Sequence, residues 1–432
     1  MISLWQSSAR LPAFSPLKGD AKTDVLIIGG GLAGILCAYF LQTAGVDYRL
    51  VEAERICSGI TQNTTAKITS QHGLLYHKLI RNFGLEKARL YLAANEQAVE
   101  RYRSLCQQID CGFSQKDNYV YTIDNRRKLE REVEALDRLG FHADLAAELP
   151  LPFPVAGAVR FPRQGQFNPL QFVQALSSGL HIHAHTKVLE LGRGWARTSY
   201  GTIRAEKMII ATHFPILNKH GGYFMKLYQH RSYVIALEGG PDLAGMYVDD
   251  GSKGLSLRNQ NQFLLIGGGG HRTGKKGGGW ETLRAFKRLY YPAAQECFHW
   301  AAQDCMSLDG APYIGRYSTA TPDLFVATGF NKWGITSSMV AAMILCDLVQ
   351  GRDNPYAETF RPSRTSLRPQ LVLNGLEAAV NLLTPTRPRC PHMGCALKWN
   401  PVERTWDCPC HGSRFDGDGT LLDNPATDGL GD

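Results

Sequence analysis

The chain has 432 residues, of which 44% are hydrophobic and 20% charged, and its formal net charge is +8. These values are typical of a globular protein of two or three domains, and no apolar run is long enough to predict a membrane span. The basic residues are scattered, which favours a solvated surface over a nucleic-acid site, and the N-terminus lacks a signal-peptide pattern, so we expect a cytoplasmic protein.

The first predicted elements form a nucleotide site. A buried strand leads into a turn that contains Gly29, Gly31 and Gly34, and an apolar helix is predicted from Leu32 to Ala44. In this G-x-G-x-x-G pattern the glycines permit a tight turn, the approach of a pyrophosphate and close helix–strand packing. Glu52 ends the second predicted strand, at the position where a carboxylate binds the ribose hydroxyls. Together these features predict a dinucleotide-binding fold.

The middle of the chain predicts helices first and an antiparallel sheet afterwards. Helical periodicity from Leu74 to Gln108 is interrupted near Gly84, and a charged helix is predicted from Arg126 to Leu139. Residues from Ser232 to Gly269 are predicted to form an antiparallel sheet. The dense glycines from Gly267 to Gly279 predict a mobile loop.

Prolines and cysteines mark the end of the chain. Residues 361–388 contain four prolines and predict a linker with one short helix near its centre. Cys390 and His392 then form a C-x-H pair, and Cys408 and His411 form a C-x-x-H pair after fifteen intervening residues. Two thiolates and two imidazoles in this order suit a [2Fe–2S] cluster, in which the imidazoles raise the reduction potential. A structural zinc site is the alternative, although paired zinc ligands usually have two to four residues between them.

Four further segments carry recognisable patterns. They are Ser58–Gly73, the strand and turn Lys207–Thr212, and the closing segments Asp309–Gly315 and Ala327–Thr336. Together they resemble the flavin motifs of the D-amino-acid oxidase and sarcosine oxidase superfamily, and the resemblance extends over residues 21–362. It implies FAD as the cofactor, with a helix N-terminus near Gly334 directed at the flavin, where the reduced form is negative. The residues implied in FAD binding are Gly29, Gly31, Gly34, Glu52, Thr65, Ala66, Thr212, Gly315, Gly329, Gly334, Ile335 and Thr336.

The two cysteine–histidine boxes resemble those of the Rieske family. This resemblance implies cysteine ligands on one iron, histidine ligands on the other, and a disulfide between two further cysteines. The implied ligands are Cys390, His392, Cys408 and His411, and the implied disulfide joins Cys395 and Cys410. The resemblance also implies a hydrogen bond from Ser413 to a bridging sulfide. High-potential members have tyrosine where this chain has Phe415, so we expect a reduction potential between the extremes of Rieske centres.

The predicted fold class is α/β. It comprises a Rossmann-like FAD-binding domain with an antiparallel-sheet substrate domain, and a small all-β Rieske-type cluster domain. The FAD-dependent oxidoreductase part is predicted over residues 1–365, the linker over 366–388 and the short Rieske domain over 389–432. Within the first part, the predicted FAD-binding segments are about 21–85, 150–225 and 305–362, and the predicted substrate domain is about 86–149 and 226–304.

The two implied cofactors predict a redox enzyme. We expect a flavin-dependent dehydrogenase, rather than an oxidase, that acts on a small amine or amino acid and passes electrons singly through the cluster to an acceptor protein. The candidate catalytic residues are Arg258, Tyr313, Lys332 and Trp333. Arg258 would pair with a carboxylate and an aromatic ring would hold a cationic amine, while simple packing explains these residues equally well. Two alternatives stay open, namely a reductase component that takes electrons in from a donor protein through the Rieske site and a flavin-bound redox sensor without turnover.

Overall fold

The computed structural model describes residues 2–217, 220–251, 254–364, 369–385 and 388–431. The helices in these ranges are α1 Leu4–Ser8, α2 Leu32–Thr43, α3 Tyr76–Phe83, α4 Leu85–Cys106, α5 Arg126–Leu139, α6 Pro169–Leu176, α7 Tyr223–Lys226, α8 Glu281–Tyr290, α9 Gly334–Val349, α10 Ala357–Phe360 and α11 Pro369–Leu383. The strands are β1 Ala21–Ile28, β2 Tyr48–Val51, β3 Lys67–Ile68, β4 Ser114–Thr122, β5 Asp144–Ala146, β6 Gly157–Gln166, β7 Ile182–His183, β8 Val188–Gly192, β9 Trp195–Thr198, β10 Gly201–Ile210, β11 Leu227–Glu238, β12 Met246–Asp249, β13 Ser256–Gln260, β14 Phe263–Arg272, β15 Gln295–Ser307, β16 Tyr313–Ser318, β17 Thr321–Thr328, β18 Lys398–Asn400, β19 Thr405–Asp407, β20 Arg414–Phe415 and β21 Leu421–Asp423.

The first sheet is mainly parallel and has the strand order β16-β17-β10-β1-β2-β7. Strand β1 pairs in parallel with β10 and β2, and its two faces enter different apolar cores, with Ile27 on one side and Leu26 on the other. Because both faces are covered there, the second half of the strand, residues 25–28, is continuously apolar rather than alternating. Helices α2 and α9 pack together on one face, where Leu36 and Ile344 are fully buried. This arrangement confirms the predicted Rossmann-like fold.

The second sheet is mainly antiparallel and has the order β15-β11-β14-β13-β12-β4-β6-β3. Strands β11, β13 and β14 confirm the antiparallel sheet predicted over Ser232–Gly269. Strands β3 and β6 belong to this sheet as well, although the sequence placed both within FAD-binding segments.

The prediction of a mobile glycine loop from Gly267 is wrong for its first part. Gly267 and Gly268 lie inside β14, where they pair with Val234 and Tyr233 of β11. A Cβ on Gly267 would lie 2.7 Å from the Ser256 hydroxyl, so the glycine permits close packing within the sheet.

The predicted helices of the middle region are confirmed. The long periodic segment divides into α3 and α4 at Gly84, which has a φ of 85°. Helix α5 has the predicted bounds, and Gly140 in the left-handed conformation terminates it.

The C-terminal region forms a separate antiparallel sheet in the order β18-β19-β20-β21, which confirms the small all-β unit. The helix predicted near the centre of the linker is longer than expected, since α11 has 15 residues. Pro369 at its first position is compatible with a helix start, and Pro385 lies beyond its end, so the prolines delimit the helix rather than shorten it.

Candidate functional site

The glycine turn between β1 and α2 is packed so closely that only hydrogen fits at two of its positions. A Cβ on Gly34 would lie 1.9 Å from the carbonyl oxygen of Gly29, and a Cβ on Gly29 would lie 2.6 Å from that of Ala211. A Cβ on Gly31 would have one neighbour within 4 Å, the Thr61 hydroxyl at 3.6 Å. Gly31 is the N-cap of α2. The turn therefore leaves space at the helix N-terminus, where the backbone N–H groups attract a pyrophosphate.

Glu52 lies directly after β2 and is held against this turn. Its carboxylate accepts hydrogen bonds from the backbone N–H of Gly30 at 2.6 Å and of Glu54 at 3.0 Å. Burial raises the pKa of Glu52, although these backbone donors oppose the shift. These two hydrogen bonds fix the acid beside the glycine turn, at the end of the second strand of the predicted dinucleotide pattern.

A cavity of about 620 Å³ extends from the glycine turn into the protein. This volume is in the range of cofactor sites. The predicted FAD-binding residues that line the cavity are Gly29, Gly31, Glu52, Thr65, Thr212, Gly334 and Ile335. The predicted residues that lie outside its wall are Gly34, Ala66, Gly315, Gly329 and Thr336.

The residues outside the wall support it by packing. Gly315 approaches Pro362, and Gly329 approaches Leu227 and Ser307, so neither has room for a large side chain. The Thr336 hydroxyl donates to the carbonyl oxygen of Thr69 at 3.0 Å instead of facing the cavity.

The N-terminus of α9 faces the cavity through Gly334, Ile335 and Ser338. Trp333 precedes the helix and provides no side-chain cap, so the first backbone N–H groups stay available to a ligand. Tyr102 donates from its hydroxyl to the carbonyl oxygen of Ile335 at 2.9 Å and fixes this first turn. The helix dipole thus favours negative charge in the cavity, as the flavin motif predicts.

Only two of the four candidate catalytic residues reach the cavity. Lys332 and Trp333 line it, and the Trp333 ring stacks on the His72 ring at a centroid distance of 5.0 Å. Arg258 on β13 is 1% exposed and donates to the carbonyl oxygen of Thr65 at 2.6 Å.

Tyr313 is also displaced from the predicted site. Its ring is fully buried beneath the guanidinium of Arg364, at 4.0 Å from the ring centroid, and lies outside the cavity wall. Arg364 in turn forms a buried ion pair with Asp309. Tyr313 therefore packs behind the cavity wall and does not face the cavity.

Lys67 and His72 line the cavity, although the sequence patterns did not single them out. Burial lowers the pKa of Lys67 to about 7, with repulsion from Arg258 as a second cause. Burial lowers the pKa of His72 to about 3, and its ring nitrogens lie 2.7 Å from the Tyr91 hydroxyl and 3.0 Å from the Thr336 hydroxyl. Both residues belong to the segment Ser58–Gly73, so the family motif was the signal that could have identified them.

His213 and Asp304 line the cavity from the side of the C-terminal region. Burial lowers the pKa of His213 to about 4, and its Nε2 has no hydrogen-bond partner among the described residues. Burial raises the pKa of Asp304 to about 6, while the charges of Lys332 and Arg231 oppose the shift. His213 directly follows the Lys207–Thr212 motif, which was the signal that could have identified it, whereas no local motif marks Asp304.

The two cysteine–histidine boxes form adjacent loops in the C-terminal region. The rings of His392 and His411 lie 5.0 Å apart, and Cys390 and Cys408 are both buried. Burial lowers the pKa of His392 to about 3 and that of His411 to about 4, so both imidazoles are neutral at neutral pH. The Nδ1 atom of His411 is buried and has no hydrogen-bond partner within the part of the chain that the structure describes. Neutral imidazoles beside buried thiols fit the predicted mixed-ligand cluster.

The other two cysteines of the region lie close to the same loops. The sulfur atoms of Cys395, Cys408 and Cys410 lie within 4.8 Å of one another, a spacing that could also hold a metal ion. Cys395 and Cys410 are free thiols in this structure. The disulfide between them therefore stays a prediction.

Ser413 and Phe415 lie next to these loops. The Ser413 hydroxyl accepts a hydrogen bond from the backbone N–H of Ala426 at 2.9 Å, and the Phe415 ring is fully buried in the apolar cluster that contains Cys390 and Cys408.

The cluster loops contact the first two sheets through polar groups. Gln303 donates to the carbonyl oxygen of Gly412 at 2.8 Å, and Gln229 donates to that of Asn424 at 2.7 Å. The Asn424 side chain donates to the carbonyl oxygen of Thr212, which belongs to the second flavin motif, at 2.5 Å. The Phe214 ring lies edge-on to both cluster histidines, with centroid distances of 6.2 and 6.3 Å.

A buried network of ion pairs stabilises the same contact between the C-terminal region and the second sheet. Arg231 on β11 forms an ion pair with Glu403, and Arg414 contacts Glu403, Asp407 and Asp423. The side chains of Arg231, Glu403 and Arg414 are 7%, 1% and 4% exposed. Such a network requires all partners to be in place, so it defines one docked position.

Comparison with known proteins identifies both parts of the chain. The model of the FAD-dependent oxidoreductase family matches residues 24–348. The chain belongs to this family. The model of the Rieske [2Fe–2S] domain matches residues 380–431, so this FAD-dependent oxidoreductase also carries a Rieske domain. FAD and a [2Fe–2S] cluster are its cofactors.

The similar proteins include both types of domain. A putative Rieske 2Fe–2S iron–sulfur protein, YhfW of Bacillus subtilis (strain 168), is 35% identical over 98% of this chain and 95% of its own length. Gamma-glutamylputrescine oxidoreductase of Escherichia coli (strain K12) is 22% identical over 80% of this chain and 88% of its own length. The crystal structure of glycine oxidase from Geobacillus kaustophilus shares the fold, with a TM-score of 0.68, 19% identity, and coverage of 80% of this chain and 100% of that structure. Among the described residues, no helix has both the length and the apolar character to cross a bilayer.

Proposed function

We propose that this flavoprotein dehydrogenates a small amine or amino acid at FAD and passes the electrons one at a time through the Rieske cluster to an acceptor protein. The observation that carries the proposal is a shared wall. Residues 421–424 and 426–427 of the C-terminal region line the same cavity as the glycine turn and the N-terminus of α9. A cluster region docked at the flavin cavity is expected if electrons pass between the two.

FAD accepts two electrons together and can release them singly, whereas a [2Fe–2S] cluster carries one electron at a time. The overall reaction would convert a substrate H–C–N–H unit to C=N, with two protons released to solvent and two electrons leaving the protein in two one-electron steps. The chain's own part is to hold the two cofactors in one geometry. Asn424 contributes to this geometry because its side chain joins Thr212, beside the cavity, to the cluster region. Gln303 contributes because its side chain donates a hydrogen bond to the second cluster loop.

The cavity chemistry supports a small charged or polar substrate. Lys67, whose pKa is lowered to about 7, would gain a partner if a substrate carboxylate entered, and its protonated form would then be stabilised. The stacked rings of His72 and Trp333 form an aromatic surface suited to an amine cation. Asp304, whose pKa is raised to about 6, is a candidate to hold a proton or an ammonium group.

The name of one relative supports the substrate class. Gamma-glutamylputrescine oxidoreductase is named for an amine derivative. A dehydrogenase is favoured over an oxidase because the cluster gives the electrons a route other than direct reaction with oxygen.

Anaerobic titration of the holoprotein with candidate amines and amino acids tests the proposal. The true substrate is expected to bleach the flavin absorption first and to produce the EPR signal of the reduced cluster afterwards. A matched reaction with Cys408→Ser protein should bleach the flavin to the same extent without the cluster signal.

Two other results would replace the proposal. If a reduced donor protein reduces the cluster before the flavin and no amine bleaches the flavin, the chain is a reductase component. If neither amines nor donor proteins cause turnover, and the cofactors only follow the reduction potential of the solution, the chain is a redox sensor.

A further inference from the structure

Helix α11 has its polar and apolar sides reversed relative to an ordinary surface helix. Five apolar residues that share one side of the helix are between 54% and 83% exposed. They are Val372, Leu373, Leu376, Val380 and Leu383. A soluble protein normally turns such a stripe toward its core.

The opposite side of α11 is polar and faces the protein. Asn374 is 6% exposed, accepts a hydrogen bond from Arg272 at 3.0 Å and donates to the carbonyl oxygen of Met225 at 3.2 Å. Asn381 is 3% exposed and donates to Glu377, which forms an ion pair with Lys275. Because these polar contacts fix the rotation of the helix about its axis, the apolar side is held outward.

We propose that α11 is an interfacial helix that binds the surface of an anionic lipid bilayer. An amphipathic helix that lies flat in a bilayer surface needs an apolar face that is free and cationic residues that meet the lipid headgroups. The apolar face of α11 satisfies the first condition. Its 15 residues correspond to about 22 Å of helix, which is enough to lie along the surface but too short to span the bilayer.

The charges that flank the helix satisfy the second condition. In the sequence, Arg368 precedes the helix and Arg387 and Arg389 follow it. Arg389 is exposed, and its guanidinium donates to the carbonyl oxygens of Leu382, Thr384 and Gly394, so it holds its charge at the end of the helix. The only acidic residue between 365 and 389 is Glu377, and its carboxylate is paired with Lys275 rather than facing outward. The segment is therefore cationic at both ends, which complements anionic headgroups.

A second copy of the chain is a poorer occupant of the same face. If two copies paired through α11, either helix orientation would bring arginine-bearing ends together, and like charges oppose that contact. An anionic bilayer neutralises both ends at once. Charge complementarity therefore selects lipid over a second copy.

Membrane docking goes beyond the proposed function and does not depend on it, because lipid binding is measured without substrate. The experiment is flotation of the full-length holoprotein with vesicles of phosphatidylcholine, with and without phosphatidylglycerol. We expect the wild-type protein to float with the anionic vesicles and to partition at least tenfold less to the neutral ones. High salt should release it, because the arginine contribution is screened.

Leu376→Glu is the decisive variant, and Ile123→Glu is its matched control. Leu376 and Ile123 are both 58% exposed, but Ile123 lies near the end of β4 on the second sheet. We expect Leu376→Glu to lower partitioning to anionic vesicles at least tenfold and Ile123→Glu to leave it unchanged. Val380→Glu should repeat the loss, and unchanged flavin and cluster spectra would show that each variant is folded.

Hydrogen exchange locates the contact independently of the variants. Amides of residues 371–383 should become protected when anionic vesicles are added. The proposal is overturned if the wild-type protein stays unbound, if Ile123→Glu loses as much binding as Leu376→Glu, or if protection occurs only elsewhere. It is also overturned if light scattering shows a dimer that Leu376→Glu converts to a monomer, since a second copy would then cover the helix.

Discussion

The nucleotide end and the cluster end of the cavity are built by different means. At the nucleotide end, Gly29, Gly31 and Gly34 shape the turn through close backbone packing and through the absence of side chains. At the cluster end, long polar side chains such as Gln303 and Asn424 join segments that are more than 100 residues apart in sequence. The first construction is local and rigid, whereas the second depends on the docking of two folded regions. Loss of one end should therefore leave the other largely intact, and variants can test this independence.

The largest difference between the effects on the two ends of the cavity is expected for Cys408→Ser. Cys408 belongs to the second cluster loop and is fully buried, so removal of its thiolate should abolish essentially all cluster iron while FAD stays bound. Iron analysis and the flavin absorption spectrum measure the two ends separately. Cys297→Ser, at an exposed free cysteine, is the control and should retain iron. Full zinc occupancy of the wild-type site, with no iron, would contradict the cluster assignment.

The docking of the cluster region should be most sensitive to Glu403. In Glu403→Ala protein, Arg231 and Arg414 would each lose a buried partner, which we expect to cost about 3–5 kcal/mol of unfolding free energy. Glu190→Ala removes an exposed pair with Arg197 and should cost less than about 1 kcal/mol. Denaturation followed at the cluster and at the flavin measures both variants. Equal small effects would show that the ion network does not fasten the interface.

The Glu403 carboxylate also predicts that the docked cluster region loses stability at low pH. Burial alone would raise the pKa of Glu403, but Arg231 and Arg414 outweigh it and lower the pKa to about 2 from the ordinary value of 4.5. A lowered carboxylate pKa stabilises the folded state above the unfolded value, and this stability is lost as the pH falls from about 4.5 to about 2. Wild-type protein should lose unfolding free energy over this window, and the Glu403→Ala protein should show a smaller slope.

The nucleotide end is tested by two glycines that differ in available space. Gly34→Ala places a Cβ 1.9 Å from the carbonyl oxygen of Gly29, which should destabilise the fold by about 3 kcal/mol. Gly31→Ala meets only the Thr61 hydroxyl at 3.6 Å, so it should fold normally and weaken FAD binding by about tenfold, or about 1.4 kcal/mol. Thermal denaturation and FAD titration separate the effects. Gly375→Ala, inside α11 and with no neighbour within 4 Å of its Cβ, should leave FAD binding unchanged and raise stability by about 0.5–1 kcal/mol, because alanine favours the helix.

Lys67, at the cavity wall, predicts a pH response in the same direction as that of Glu403 but in an alkaline window. Burial lowers its pKa from the ordinary value of 10.5 to about 7 in the folded protein, so the unfolded chain binds the proton more strongly. Unfolding free energy should therefore rise between about pH 7 and 10.5, at about 1.4 kcal/mol per pH unit from this group. Lys67→Met should abolish that contribution, whereas Lys78→Met, at an exposed position, should retain it. Identical pH slopes for the two variants would show that Lys67 is not desolvated.

The contrast between local and non-local construction also explains what the sequence could predict. The glycine turn and helix α5 were predicted because their signals lie within a few residues. The burial of Arg258 and the lowered pKa of Lys67 were not predicted, because both depend on strands brought together from distant parts of the chain. The outward apolar side of α11 was missed for the same reason, since periodicity predicts an amphipathic helix without saying which side faces the protein.

The smallest expected effect, at Phe415, tests how the surrounding protein tunes the cluster. The Phe415 ring is fully buried in the apolar cluster that contains Cys390 and Cys408, and it replaces a tyrosine of the high-potential Rieske family. Phe415→Tyr would add a hydroxyl that can donate to a cysteine sulfur, which stabilises the more negative reduced state. If that bond favours the reduced state by about 1.4 kcal/mol, the reduction potential rises by about 59 mV for one electron. An EPR-monitored redox titration measures the shift, with Trp406→Phe as a control in the same apolar cluster. A potential that stays constant in Phe415→Tyr protein while the variant remains folded would show that the hydroxyl does not reach the sulfur. The flavin potential should not change, because Phe415 lies outside the cavity wall.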